Sequence, residues 1–232
     1  MPHVDVVANL DSLWMKNKDA WTLRSGDLPP ERVAPLACSG VTAYGALKKV
    51  GSVLKDEPVV IIGAGGVGLM GVALHKAMGG KGAIVVDIDP VKREAAKQAG
   101  ARMVIDGRAP DAAKQIVEAT KGGAWAVIDF VGSSSTAQLG VDSLIKGGRL
   151  IIVGLFGGDI TVSTPFFPMR AMTIQGSYVG SLTEMAELLD LVRRTGLPPI
   201  PVGTRPLAEV NEALNALKAG KVVGRVVLTP AG

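Results

Sequence analysis

Pro58-Val59-Val60-Ile61-Ile62-Gly63-Ala64-Gly65-Gly66-Val67-Gly68 decides how this chain is read. Five apolar residues, rich in β-branched side chains, end in a GxGxxG loop. An apolar helical pattern over 67–78 follows, with Val67, Met70, Gly71, Leu74, Ala77 and Met78 on one stripe. A second strand-like run, Ala83-Ile84-Val85-Val86, then ends in Asp87. The order strand, glycine loop, helix, strand, acid is a dinucleotide-binding fingerprint in its structural context. Gly63 suits the tight turn, Gly65 lets the main chain approach a pyrophosphate, and Gly68 lets helix and strand pack closely. The following helix turns unpaired N–H groups toward the phosphates. Asp87 lies about 20 residues beyond the last glycine, where a carboxylate can accept ribose hydroxyls and repel a 2′-phosphate. NAD is therefore expected over NADP. S-adenosylmethionine-dependent methyltransferases use a similar loop, but Asp87 and the alternation around it favour a dinucleotide.

Outward from this unit the chain keeps alternating. Strands are expected over 58–62, 83–87, 103–105, 125–130, 149–153 and 172–177. Helices are expected over 67–78, 90–99, 110–120 and 134–146, with Pro90 in a first turn and Gly147-Gly148 as a stop. Short loops between such elements predict an α/β fold: a doubly wound, six-stranded parallel Rossmann sheet. A helical stretch precedes it, capped by Asp27 with Pro29-Pro30 at its start and running to Val50. After Gly180 a helix over 181–194 turns Leu182, Met185, Leu188, Leu189 and Val192 inward. Pro198-Pro199-Ile200-Pro201 reads as a rigid linker and Pro206 as a helix opener, with Leu207, Val210, Leu214 and Leu217 on one face. A last strand over 222–229 completes a C-terminal helix–strand extension. The expected division is an unassigned remnant over 1–26, the nucleotide fold over 27–180 and a C-terminal segment over 181–232.

Composition narrows the function classes. The 232 residues are 47% hydrophobic but only 4% aromatic, which suits a Val/Ile/Leu/Ala core around a buried parallel sheet. Mean hydropathy is +0.32, yet the longest uncharged stretch, 59–74, is broken by glycines and too short for a membrane span. The opening Met1-Pro2-His3-Val4-Asp5 lacks a signal-peptide pattern. A net charge of +4, with scattered Lys and Arg, speaks against a nucleic-acid surface. One cysteine excludes an intrachain disulfide and fits a reducing compartment, the cytoplasm. His75 reads as solvated on the outer face of its helix and His3 as part of a mobile terminus; Met169, Met172 and Met185 read as packing residues, and Asp129 as a strand-end acid, with cofactor contact as the alternative.

Leu36-Ala37-Cys38-Ser39-Gly40-Val41-Thr42-Ala43-Tyr44-Gly45-Ala46-Leu47 resembles the segment entering the cofactor domain of zinc-type medium-chain alcohol dehydrogenases. The likeness continues through the glycine loop, Val86-Asp87-Ile88-Asp89, Val127-Ile128-Asp129-Phe130-Val131-Gly132, and Gly147-Gly148-Arg149-Leu150-Ile151-Ile152-Val153-Gly154. It reaches Ala219-Gly220-Lys221-Val222-Val223-Gly224-Arg225-Val226-Val227-Leu228-Thr229. The resemblance implies hydride transfer between an alcohol and NAD, with a catalytic zinc polarising the alcohol oxygen. It implies Cys38 as a zinc ligand, Thr42 near the nicotinamide, and Gly63, Gly65, Gly66, Val67 and Gly68 around the pyrophosphate. Asp87 and Lys92 would serve the ribose, Val153, Gly154 and Leu155 the nicotinamide, and Arg225 the pyrophosphate.

The departure concerns the metal. The family's catalytic barrel brings a further Cys ligand and a Gly-His-Glu motif, and neither histidine here follows a glycine or precedes a glutamate. One thiolate does not make a zinc site. The chain resembles the cofactor half plus the C-terminal return, with the front truncated or replaced. A catalytically silent NAD-binding module is the alternative reading; a zinc-independent quinone or enoyl reductase relative is less favoured by Cys38 and Asp87. Apolar surface near Cys38 and across 181–232 is expected to be uncovered, and family members pair through the strand matching 171–177, so a homodimer is expected.

Overall fold

Alternation of side chains along the strands builds two cores on one sheet. Val59 and Ile61 face one side and Val60 and Ile62 the other, and all four are buried because helices cover both faces. Neighbouring strands obey the same rule: Val85, Ile128 and Ile151 join the first core, and Ile84, Val127 and Leu150 the second. The structure, a computed structural model, describes residues 29–196 and 200–230. The reading of 1–26, of Asp27 as a cap and of Pro198-Pro199 as a linker lies outside the described residues.

The strands are β1 Val59–Ile62, β2 Ala83–Asp87, β3 Met103–Asp106, β4 Ala124–Asp129, β5 Leu144–Ile152 and β6 Thr173–Gly176. They form one parallel sheet in the order β3-β2-β1-β4-β5-β6. The order reverses direction between β1 and β4, which opens a crevice at their C-terminal ends. Four helices lead up to and cross it: α1 Pro30–Val33, α2 Ser39–Val50, α3 Val53–Asp56 and α4 Gly66–Ala77. α5 Pro90–Ala99, α6 Ala112–Ala119, α7 Ser134–Asp142 and α8 Phe166–Arg170 follow.

The expected helix up to Val50 is broken. Pro35 has no N–H to continue α1, so the chain tightens into a 3-10 turn, Ala34–Ala37, and restarts after Cys38. The helix expected over 134–146 stops at Asp142. The carbonyl of Ser143 accepts the Ala124 N–H at 2.7 Å, which draws Leu144 into the sheet. Gly147-Gly148 therefore sits inside β5, not at a helix end. Gly147, at φ +85°, absorbs a register shift as Leu144 pairs with Ala124 but Arg149 pairs with Ala126.

α9 Leu182–Thr195 starts with a reciprocal cap between Ser181 and Glu184 and buries Leu188, Leu189 and Val192 in the first core, against α2 and α4. Beyond it the helix–strand extension is a strand–helix–strand unit. β7 Val202–Pro206 pairs in parallel with β8 Arg225–Thr229, and α10 Val210–Lys218 connects them. Pro206 ends β7 and precedes a 3-10 turn, Leu207–Glu209, instead of opening a helix. β7 gave no strand pattern because only its long-range partner makes it a strand. Leu207, Leu214 and Leu217 are all more than half exposed.

Two single-residue readings change. His75 is 1% exposed, not solvated, because the chain turns back after α4 and lays Gly80 against the imidazole. Burial pushes its pKa down to about 4. Met169 is exposed at 66% and does not pack, whereas Met172 is buried. No described helix is long and apolar enough to cross a membrane.

Candidate dinucleotide-binding site

The glycine loop crosses the C-terminal ends of β1 and β2 and delivers the chain into α4. Gly63 turns at φ +94°, donates its N–H to Val86 O at 2.8 Å, and lies against Val131 at the end of β4. A side chain on Gly68 would run into the carbonyl of Gly63, so helix and strand approach at main-chain distance. Gly65 caps α4 in an extended conformation without any side-chain partner, and its Cβ position has nothing within 4 Å. The first N–H groups of α4 thus have no side-chain cap and carry the positive end of the helix dipole.

Asp87 is half-buried at the end of β2. One carboxylate oxygen accepts the Ala64 N–H at 2.6 Å and the other the Asp89 N–H at 2.8 Å. About half of the carboxylate's acceptor capacity remains for a ligand. Lys92 is half-buried in the first turn of α5 but is not among the partners of Asp87. Its neighbour Arg93 donates to the Asp87 carbonyl at 2.8 Å and pairs with Asp106 at 3.1 Å, locking β2 to β3. Sequence reasoning missed Arg93, for which only the acid at the end of β3 gives any hint.

The opposite wall comes from β5 and β8. Val153 is buried, and it and Gly154 donate to the Asp129 carbonyl at 2.9 and 3.0 Å; Leu155 is 79% exposed. Arg225, the first residue of β8, lies over the loop so closely that a Cβ on Gly66 would stand 2.5 Å from its Nε. That Nε has no partner among the described residues. Burial lowers the Arg225 pKa, and the nearby Cys38 works against this. A guanidinium and a helix N-terminus therefore face each other across one loop, an arrangement suited to an anion.

Cys38 is exposed in the break before α2, and Thr42, one turn on, donates its N–H to the Cys38 carbonyl at 3.0 Å. Among the described residues no group of three or more His, Cys, Asp or Glu could hold a metal ion. Arg225 lies near enough to Cys38 for the two to interact electrostatically. These residues do not fit a zinc ion. The dinucleotide fits better, because an open helix start, an acid with spare acceptors and an arginine converge on the crevice.

Sheet order and crevice place the chain in the Rossmann class of folds. The profile of a family described as zinc-binding dehydrogenase matches residues 66–194, and the chain belongs to that family. An NAD-dependent alcohol dehydrogenase of Sulfurisphaera tokodaii is 39% identical over 85% of this chain and 57% of its own length. The alcohol dehydrogenase structure from Aeropyrum pernix superposes with a TM-score of 0.80 at 36% identity, over 88% of this chain and 60% of that one. The acetophenone reductase of Geotrichum candidum, solved in complex with NAD, gives a TM-score of 0.73 at 29% identity, over 84% and 55%. The chain thus spans less than two thirds of the length of these relatives.

Proposed function

We propose that this chain is the NAD(H)-binding portion of a zinc-type alcohol dehydrogenase. The observation that carries the reading is the convergence of the uncapped α4 start, Asp87 and Arg225 on one crevice. The glycine loop of Gly63, Gly65, Gly66, Val67 and Gly68 would hold the pyrophosphate, with Arg225 opposite. Asp87 would accept the ribose hydroxyls, with Lys92 near the rim. Val153, Gly154, Leu155 and Thr42 would border the nicotinamide. NAD, when bound, supplies the hydride chemistry. This chain's own residues bind and orient it.

The division follows the same reading: 1–26 unassigned, 27–180 for coenzyme, 181–232 belonging to the catalytic part of the whole enzyme. The substrate would be a small alcohol or aldehyde, the compartment the cytoplasm, and the assembly a homodimer through the edge strand within 171–177. Its described edge, β6, is largely exposed, which supports the pairing. Exposed Leu207, Leu214 and Leu217 support uncovered apolar surface in the 181–232 segment.

A second reading, a coenzyme-binding module without turnover, is favoured by one observation: Cys38 has the cation Arg225 near it and belongs to no described group of three or more metal-binding side chains. Calorimetric titration tests the shared core. NADH is expected to bind, with NADPH at least about tenfold weaker. No NADH binding, or tighter NADPH, overturns the proposal. Alcohol-dependent NADH formation with one stoichiometric zinc would decide for the working enzyme over the module.

A further inference from the structure

We infer that Asp129 is a positioning residue that sets the nicotinamide half of the crevice, an inference that rests on the NAD reading above. Asp129 ends β4 next to Ile62 of β1, directly under the crevice, and is completely buried. It has no ion pair among those of the described residues. An uncompensated buried carboxylate is costly, and this one is held by three hydrogen bonds. One oxygen accepts the N–H groups of Val131 and Gly132 at 2.8 and 3.0 Å, and the other accepts the Thr136 hydroxyl at 2.8 Å. The carbonyl of the same residue accepts the N–H groups of Val153 and Gly154.

One residue thereby joins the exits of two strands. Its side chain curls the chain after β4, and its main chain holds the chain after β5. Further bonds close the seam: Phe156 N–H to Val131 O at 3.1 Å and Gly157 N–H to Gly132 O at 2.9 Å. Gly132 and Gly154 touch at main-chain distance, leaving no room for a Cβ on either. Val131 in turn presses on Gly63 of the glycine loop. The carboxylate therefore fixes the offset between the Val153–Leu155 wall and the loop. It does not reach Asp87, the ribose-side acid, whose carboxylate bonds run to Ala64 and Asp89. The ribose-side acid thus keeps its own tethers, and the larger effect falls on the nicotinamide half, whose wall hangs directly on Asp129.

The test compares NADH with ADP-ribose, which lacks the nicotinamide, by calorimetry on the full chain. Asp129→Asn keeps the shape but turns an amide toward donors. It is expected to weaken NADH about tenfold while leaving ADP-ribose within about twofold. The fluorescence of bound NADH should move toward that of free NADH. Thr136→Val, which removes one of the three donors, should act in the same direction more mildly, and Thr136→Ser should restore the original behaviour. That pair decides the matter if Asp129→Asn fails to fold. Equal weakening of both ligands, or no change in either, overturns the inference. If the unmodified chain binds neither ligand, the NAD reading itself falls and this inference with it.

Discussion

Replacing Gly65 by alanine should leave the protein folded and remove its ligand. Gly65 is the cap of α4 at φ −70°, a conformation open to alanine, and an added Cβ meets nothing within 4 Å. The folding cost is that of alanine for glycine at a helix cap, about 0.5 kcal/mol. The methyl group would occupy the space in front of the α4 N–H groups that a pyrophosphate needs. Charge-assisted bonds to an anion contribute about 1.5–3 kcal/mol each, so displacing the phosphate from one or two of them costs about 3 kcal/mol. That equals a loss of roughly a hundredfold in affinity. Thermal unfolding and NADH titration of the same preparation read the two effects separately. Gly68→Ala is the control, because its Cβ collides with the Gly63 carbonyl and should cost folding itself. A Gly65→Ala protein that binds NADH like the parent would refute the assignment of the loop.

Asp87→Ala should act twice, narrowing the preference for NADH over NADPH and lowering the melting temperature, because the carboxylate also holds the Ala64 N–H; loss of preference with unchanged melting would show that this tether is idle. Acid stability should depend on His75, whose pKa lies at about 4 when folded against 6.5 otherwise. The unfolded chain binds that proton first, so stability is undiminished above pH 6.5 and falls as the pH drops toward 4, by roughly 3 kcal/mol in full. His75→Leu should flatten that part of the profile in denaturant melts, and an unchanged slope would contradict the burial. Chelation with EDTA should alter neither melting temperature nor NADH affinity, since no metal cluster exists among the described residues; a clear drop in either would mean that Cys38 holds a metal after all.

Local signals carried far for the nucleotide fold and failed where a long-range partner decides. Glycine spacing, strand alternation and Asp87 were legible because turn geometry and period-two burial are local properties of the chain. α5 was readable to its ends, since Pro90 suits a first turn and the pattern ran to residue 99. The end of α7 was not readable, because a carbonyl at Ser143 captured by Ala124 outweighs helix propensity beyond Asp142. β7 was hidden for the same reason, as its ladder lies with β8, twenty-odd residues downstream by loop and helix.

The sequence alone determined the six-stranded parallel sheet, the glycine loop between its first strand and helix and the acid that ends the next strand, because each is written in neighbouring residues. Only the tertiary structure decided that Arg93 ties the end of β2 to β3 and that His75 is buried. It also decided that Asp129 binds two strand exits together. Side-chain identity states what a residue can donate or accept. Which partner it meets depends on packing, and packing is a property of the whole chain.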